Sequence, residues 1–215
     1  MVKISPSILS ADLLKIEEEV ISLDKSGADY IHIDIMDGHY VPNITFGPNI
    51  VKSIKSITTK TLDVHLMIEP VEPYIKEFID AGSDIISFHP EADNNASQII
   101  DIINNASIKS GIAIHPDKNV LDFEHLFKKI QQVIVMTVVP GFGGQRFMEN
   151  QVQKIKELKD IRKENNYNFE ISVDGGINNE TGKLCIENGV DVLAVGSYLL
   201  SQDDQNYNKI INALK

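Results

Sequence analysis

The chain has 215 residues, of which 42% are hydrophobic and 24% are charged. These values are ordinary for a globular domain, and they exclude an intrinsically disordered chain, a collagen and a fibrous repeat. The formal net charge is -11, from 31 acidic and 20 basic residues. Because phosphate groups would repel so acidic a chain, we expect no nucleic acid and no membrane among its partners.

Cysteine content and apolar runs indicate the cellular compartment. The single cysteine, Cys185, cannot form an internal disulfide, so nothing in the sequence requires an oxidising compartment. The first residues do not have the pattern of a secretory signal. The most apolar run, residues 133–139, is far shorter than the roughly 20 residues of a membrane span. We therefore expect a cytoplasmic protein.

Short runs rich in β-branched residues alternate with amphipathic stretches along the whole chain. The runs predict strands near residues 4–9, 30–34, 62–67, 85–88, 111–114, 133–136, 170–174 and 192–195. Apolar residues at helical spacing predict helices that include residues 13–23, 74–79 and 152–161. Strands that alternate with helices indicate parallel strands joined in βα units.

A short sequence recurs where a predicted helix ends and the next predicted strand begins. It occurs as Gly27-Ala28-Asp29, Gly82-Ser83-Asp84 and Gly189-Val190-Asp191. Glycine at this position is the usual left-handed residue that ends a helix. The intervals are close to two and four steps of about 27 residues, and eight such steps fill a chain of this length. We therefore predict one domain over residues 1–215, an α/β (β/α)8 TIM barrel. An open doubly wound sheet is the alternative, but no G-x-G-x-x-G follows the first strand.

Polar residues at the carboxyl ends of the predicted strands are the candidates for chemistry, because barrels build their active sites there. Alternation along the second strand turns His32 and Asp34 away from the isoleucines between them, towards the barrel interior. The third and seventh strands present His65 and Asp174 in the same way. Zn²⁺, Fe²⁺, Mn²⁺ and Co²⁺ all accept imidazole and carboxylate ligands. The four side chains therefore predict one divalent metal ion at the barrel mouth.

The two aspartates also predict a reaction. Strands two and seven lie nearly opposite each other in a ring of eight, so Asp34 and Asp174 would approach a substrate from two sides. Such a pair suits removal of a proton from one face of a carbon and its return on the other, with the metal stabilising the enediolate formed in between. Because an isolated aspartate has a pKa near 3.9, we expect one of the pair to have a raised pKa. The alternative is that both carboxylates only balance the charge of the metal.

Glycine-rich loops follow the last three predicted strands. They are the PGFGGQ loop at residues 140–145, the pair Gly175-Gly176 and the pair Gly196-Ser197. Backbone N–H groups in such loops bind anions, and barrels commonly hold phosphate after strands seven and eight. We therefore predict a small phosphorylated substrate held by the backbone, which suits a chain with two arginines.

Long segments of the chain match one known family. The matching segments are SPSILSADL at residues 5–13, HIDIMDGHYVPNITFGP at 32–48, DVHLM at 63–67, PGFGGQRF at 140–147, VDGGI at 173–177 and VGS at 195–197. On these segments the chain resembles the ribulose-phosphate 3-epimerases over nearly its full length. The resemblance implies a barrel of the ribulose-phosphate-binding type. It also implies the interconversion of D-ribulose 5-phosphate and D-xylulose 5-phosphate in the pentose phosphate pathway.

The resemblance implies a role for each matching residue. His32, Asp34, His65 and Asp174 would hold the metal. Asp34 would accept the proton and Asp174 would donate it, with the roles exchanged in the reverse direction. The positions that match substrate contacts of the family are Ser7, His65, Gly141, Phe142, Gly143, Gly144, Asp174, Gly175, Gly176, Gly196 and Ser197. Three methionines match residues that surround the metal in the family, although methionines are otherwise ordinary core residues: Met36, Met67 and Met136.

The chain departs from the family pattern at three places, one of which is Ser197-Tyr198-Leu199 in place of a smaller Ser-Ala-Ile type of ending. His115 stands where the family more often has asparagine, and Val139 stands where asparagine or glutamate is frequent. Because these positions bear on loop geometry and substrate length, a D-allulose 6-phosphate 3-epimerase is an alternative. A barrel that binds a sugar phosphate without catalysis is another. No strand end carries a lysine suited to a Schiff base, which argues against an aldolase.

Two further expectations concern residues and partners outside the predicted site. Barrels of this size are often oligomeric, so we expect a homo-oligomer. Four histidines are predicted to be structural or surface residues rather than metal ligands: His39, His89, His115 and His125.

Overall fold

The computed structural model describes residues 1–202 and 206–215. Within these residues, eight parallel strands form one sheet in the order β1-β8-β7-β6-β5-β4-β3-β2. The strands are β1 (Lys3–Pro6), β2 (Tyr30–Met36), β3 (Thr61–Met67), β4 (Ile85–Phe88), β5 (Lys109–Ile114), β6 (Gln132–Met136), β7 (Glu170–Asp174) and β8 (Val192–Val195). A parallel bridge between Ser7 and His32 joins the first strand to the second and closes the ring. The predicted (β/α)8 barrel is confirmed.

Helices surround the barrel and connect its strands. They are α1 (Ile16–Lys25), α2 (Pro48–Lys55), α3 (Ile75–Asp80), α4 (Ala96–Asn105), α5 (Val152–Glu164), α6 (Asn179–Asn188), α7 (Ser197–Leu200) and α8 (Tyr207–Leu214). The connection between β5 and β6 contains a 3-10 helix at Val120–Leu126 instead of an α-helix. Over residues 1–202 and 206–215, no helix has the length and apolar character needed to cross a membrane.

The ends of β1 and β2 differ from the predicted strand ends near residues 9 and 34. β1 ends at Pro6, and residues 8–10 turn into a 3-10 helix. Ser7 starts this turn, because its hydroxyl oxygen accepts a hydrogen bond from the Leu9 amide at 3.4 Å. Serine side chains compete in this way with the backbone ladder of a strand. β2, in contrast, continues past residue 34 to Met36.

Side chains alternate between two layers, as the sequence predicts. Ile31, Ile33 and Ile35 belong to the large core that the strands share with the surrounding helices. A separate apolar cluster, formed by Ala113, Ile134, Met136 and Val138, fills part of the barrel interior. The polar residues between the isoleucines of β2 therefore face the interior, where they meet inward side chains of other strands.

The repeated Gly-x-Asp sequence has one structural role at all three places. The glycines have φ angles between +90° and +111° and end helices α1, α3 and α6. Each aspartate then accepts a hydrogen bond, 2.8 or 2.9 Å long, from an amide at the start of another strand. The pairs are Asp29 with Ile4, Asp84 with Leu62 and Asp191 with Ile171. Each carboxylate thus ties two neighbouring strands together at the amino-terminal end of the barrel.

Candidate metal and active site

The carboxyl ends of three strands bring four ionisable side chains together. β2 supplies His32 and Asp34, β3 supplies His65, and β7 supplies Asp174. One donor atom of each residue lies within 4.8 Å of every other, so the four residues could hold a metal ion. The side chain of Asp174 is 16% exposed, whereas the other three are buried. We call these four residues the metal cluster.

The distances within the metal cluster are longer than ordinary hydrogen bonds of about 2.7–3.2 Å. His32 Nε2 lies 3.3 Å from Asp34 Oδ1 and 3.8 Å from Asp174 Oδ2. His65 Nδ1 lies 3.4 Å and 3.7 Å from the same two oxygens. Both buried nitrogens lack a hydrogen-bond partner among residues 1–202 and 206–215. Ligands bound at about 2.0–2.2 Å to one ion stand roughly 3–4 Å apart, so the donor set fits a divalent ion.

Charges in the metal cluster shift pKa values in opposite directions. Burial lowers the pKa of the His32 imidazole, but Asp34 and Asp63 raise it by more, and it lies well above its ordinary value. Burial raises the pKa of the Asp34 carboxyl, but His32 and His65 lower it by more, and it lies well below its usual range. Asp34 is therefore held as a carboxylate. The raised pKa that the sequence predicts for one of the pair is therefore not found at Asp34.

Hydroxyl groups donate hydrogen bonds to both aspartates. Ser7 Oγ donates a hydrogen bond to Asp34 Oδ2 at 2.5 Å, which leaves Oδ1 directed towards the histidines. The Thr45 hydroxyl donates to the backbone oxygen of Asp34 at 2.6 Å. The Thr137 hydroxyl donates to the backbone oxygen of Asp174 at 2.9 Å. Each aspartate of the pair is thus supported by a threonine bonded to its own backbone.

A cleft lies over the metal cluster. Asp34 and Asp174 reach its wall, whereas His32 and His65 are completely buried beneath it. The other predicted site residues that line the cleft are Ser7, Met36, Met67, Met136, Gly141, Phe142, Gly143, Gly144, Gly175, Gly176, Gly196 and Ser197. All three glycine-rich loops therefore open onto the same space as the two aspartates.

The glycine pair after β7 is required by its surroundings. Gly175 and Gly176 have φ angles of +117° and +68°, which side chains rarely allow. A Cβ atom on Gly175 would lie 2.4 Å from Val138 Cγ2, and one on Gly176 would lie 2.6 Å from the Phe147 backbone nitrogen. The loops after β6 and β7 therefore pack against each other so closely that only glycine fits.

Sequence patterns predict no functional role for three residues near the cleft. Ser10 lines the cleft, and a Cβ on Gly196 would lie 3.1 Å from its hydroxyl oxygen. Asp63 and His89 are completely buried and contact the two histidines of the metal cluster. Alternation of side chains along β3 turns Asp63 towards the barrel interior, so the sequence contained a signal for its position. His89 directly follows β4, and its contact with His65 depends on how β3 and β4 pair.

The remaining histidines lie outside the metal cluster, as predicted. His39 and His125 are exposed, and His115 is partly buried. His115 Nδ1 lies 2.5 Å from Asp117 Oδ1, so its partner belongs to its own loop. The prediction that His89 is a structural residue agrees with its complete burial. Its contact with His65 was not foreseen.

Relatives with similar sequences cover nearly the whole chain. The model of the ribulose-phosphate 3 epimerase family matches residues 3–200. The ribulose-phosphate 3-epimerase of Bacillus subtilis (strain 168) is 46% identical over 206 residues, which is 95% of each chain. That of Methanocaldococcus jannaschii is 41% identical over 95% of this chain and 86% of its own. That of Escherichia coli (strain K12) is 36% identical over 99% of this chain and 94% of its own.

Solved structures with lower identity show the same fold. The 3-hexulose-6-phosphate synthase from Salmonella typhimurium superposes with a TM-score of 0.72 at 17% identity, over 99% of this chain and 96% of that one. The tryptophan synthase A-subunit from Pyrococcus furiosus gives 0.73 at 14% identity, with the same coverage. These likenesses support the barrel alone, whereas the matches in sequence reach the activity class. The chain belongs to the ribulose-phosphate 3-epimerase family, a family of isomerases.

Proposed function

We propose that the chain interconverts D-ribulose 5-phosphate and D-xylulose 5-phosphate by proton transfer at C3. The observation that carries this proposal is the meeting of Asp34 and Asp174 at the mouth of the barrel. β1 and β8 separate the strands that supply them, so the two carboxylates come from different sides of the ring. An epimerisation needs this arrangement, because the proton leaves one face of the carbon and returns to the other.

Asp34 accepts the C3 proton in one direction, since it is held as a carboxylate by its neighbours. The substrate then passes through an enediolate, and Asp174 returns a proton to the opposite face. The roles are exchanged in the reverse direction. A divalent ion held by His32, Asp34, His65 and Asp174 would supply positive charge beside the oxygens of the enediolate. The methionines Met36, Met67 and Met136 line the cleft around these donors and exclude water.

The phosphate group of the substrate binds to the glycine-rich loops. Gly141, Gly143 and Gly144 lie after β6, while Gly175-Gly176 and Gly196-Ser197 lie after β7 and β8, all on one cleft. Backbone N–H groups can hold an anion without a cationic side chain. This mode of binding explains how a chain with a net charge of -11 takes an anionic substrate. Ser7, Phe142 and His65 complete the proposed substrate contacts.

An activity assay with and without a chelator tests the proposal. We expect turnover of D-ribulose 5-phosphate, loss of turnover in excess chelator and recovery with a divalent ion. In D₂O, deuterium should enter the substrate at C3. Metal and sugar-phosphate binding without such exchange would support the non-catalytic barrel. A strong preference for D-allulose 6-phosphate would instead establish the six-carbon alternative.

The proposal also covers the identity of the metal ion, the cellular location and the oligomeric state. The ion is Zn²⁺, Fe²⁺, Mn²⁺ or Co²⁺, and metal analysis of protein purified without added metal identifies it. The protein acts in the cytoplasm within the pentose phosphate pathway. The homo-oligomer expected from the sequence stays a prediction, which the molar mass in solution checks.

A further inference from the structure

Asp63 lies directly beneath the metal cluster and contacts one of its histidines. The carboxylate is completely buried, and its Oδ2 atom lies 2.9 Å from His32 Nδ1. Ser5 Oγ donates to the same oxygen from 3.4 Å. Because a carboxylate oxygen accepts hydrogen bonds, this contact places the imidazole proton on His32 Nδ1. In the neutral imidazole, the form that binds a metal, the lone pair of the ring then lies on Nε2, the atom that faces Asp34 and Asp174.

His89 lies behind His65, the other histidine of the metal cluster. It contacts the Nε2 atom of that ring, whereas Asp63 contacts the Nδ1 atom of His32. His89 Nε2 lies 3.1 Å from His65 Nε2. On the far side of its ring, His89 Nδ1 has no hydrogen-bond partner among the described residues. It lies 3.7 Å from Glu91 Oε1, and that carboxylate oxygen accepts a hydrogen bond from the Tyr40 hydroxyl at 3.0 Å. The carboxylate favours the proton on His89 Nδ1. His89 Nε2 is then an acceptor, His65 Nε2 donates to it, and the lone pair of His65 lies on Nδ1.

Strand register explains why the two histidines use different nitrogens. β2 and β3 pair so that His32 is level with Asp63, whereas His65 is level with Asp34. His32 therefore starts two residues deeper in the barrel. Nε2 is the ring nitrogen farther from the backbone, so it reaches the height of the aspartates from the deeper position. From the higher position of His65, the nearer Nδ1 arrives at the same point.

We propose that Asp63 and His89 are positioning residues that decide which nitrogen each histidine offers to a cation, Nε2 on His32 and Nδ1 on His65. The proposal rests on the metal site of the proposed function. Partners of this kind set the tautomer and the ring orientation of metal-binding histidines. Asp63 acts directly on one ring, and His89 acts on the other with Glu91 behind it.

Nitrogen NMR of the wild-type chain tests the assignment without any substitution. Protein with ¹⁵N-labelled histidine is loaded with ¹¹³Cd²⁺, and scalar coupling between the metal and nitrogen identifies each coordinating atom. We expect coupling to His32 Nε2 and His65 Nδ1. Coupling to His32 Nδ1 or His65 Nε2 would overturn the assignment while leaving the metal site in place. Absence of coupling to both histidines would overturn the metal site itself, and the assignment with it.

Substitutions then test whether Asp63 and His89 act on metal binding. Asp63→Leu and His89→Phe remove the hydrogen bonds, and we expect Zn²⁺ affinity to fall about 10–100-fold in competition with a chromophoric chelator. Asp63→Asn and His89→Gln retain an acceptor and should recover most of the affinity. His125→Gln is the control, because His125 is exposed and lies outside the metal cluster.

Circular dichroism and thermal unfolding identify the variants that are folded. Folded Asp63→Leu or His89→Phe protein that binds Zn²⁺ within twofold of wild type would overturn the positioning role. Equal losses in the acceptor-retaining variants would also overturn it, since packing rather than hydrogen bonding would then be responsible. If the apolar variants do not fold, the acceptor-retaining variants and the NMR assignment decide the outcome.

Discussion

Polar side chains at the amino-terminal end of the barrel bond to one another, whereas the four side chains of the metal cluster at the carboxyl-terminal end face one another beyond hydrogen-bonding distance. At the amino-terminal end, the Tyr30 hydroxyl accepts from Lys3 Nζ at 2.6 Å and donates to Glu170 Oε2 at 3.0 Å, and Lys3 pairs with Glu170. In the metal cluster, nitrogens and carboxylate oxygens stand 3.3–3.8 Å apart. The same strands thus use ionisable groups for structure at one end and leave them available for a ligand at the other.

Glycine also has different roles at the two ends. Gly111 lies deep in the barrel, where a Cβ would be 2.2 Å from Ser87 Oγ, a hydroxyl that donates to Gln132 Oε1 at 2.7 Å. Gly176 lies in a cleft loop and combines a close approach with a φ angle of +68°. The first glycine makes room for a neighbouring side chain. The second lets the backbone turn towards the substrate cleft.

The largest expected effect is at the aspartate pair. Asp34→Asn and Asp174→Asn should each lower kcat by about 10²–10⁴-fold, because general acid–base catalysis contributes that much. The thermal unfolding midpoint should change little in comparison. Steady-state assays on folded protein measure the effect, and Glu170→Gln at the opposite end is the control that should retain kcat. Near-normal kcat in either aspartate variant would contradict the two-aspartate mechanism.

A glycine in the cleft should matter more for activity than a glycine of similar φ elsewhere. Gly176→Ala forces a Cβ against Phe147, so the phosphate loop must move, and we expect kcat/KM to fall about 10-fold or more, mostly through KM. Gly27→Ala is the matched control, with a φ of +90° and, among the described residues, nothing within 4 Å of the added atom. Equal kcat/KM in the two variants would show that the loop after β7 does not bind substrate.

At the lower end of the barrel, the expected effect is on stability alone. Gly111→Ala should lower the free energy of unfolding by about 1–3 kcal/mol, since the added methyl group overpacks the interior against Ser87. Urea denaturation measures the loss, and kcat should be retained in the folded variant. The double variant Ser87→Ala/Gly111→Ala should recover part of the stability. Unchanged stability of Gly111→Ala would show that the interior is less tightly packed than the structure indicates.

The smallest functional effect is expected at Cys185. This residue is buried on helix α6, away from the cleft and from the barrel interior. Burial raises the pKa of its thiol to about 12, so the reactive thiolate is scarce in the folded protein near pH 8. A thiol reagent should modify the chain in urea and leave the native protein unmodified, with full activity. Because the unfolded thiol ionises at lower pH, raising the pH towards 12 should favour unfolding. Rapid labelling of the native protein would contradict this burial.

Local pattern was sufficient to predict which residues meet at the barrel mouth in the structure. His32, Asp34 and Asp174 were identifiable because strand alternation and strand ends are properties of short segments. The glycine-rich loops were identifiable for the same reason. The support of the site was not predictable, since Thr45 and Thr137 act through hydrogen bonds to backbone atoms across loops. Such contacts depend on loop conformation, which residue type alone does not specify.

The alternation of strands and helices, the inward face of each strand and the residue types at the barrel mouth could be predicted from short segments of sequence. The depth at which each side chain enters the interior depends on how the strands align in the folded barrel. His32 pairs with Asp63 and His65 with His89 because β2, β3 and β4 align in one particular register. Period and propensity act over a few residues, whereas register is set by ring closure and by packing across the whole barrel.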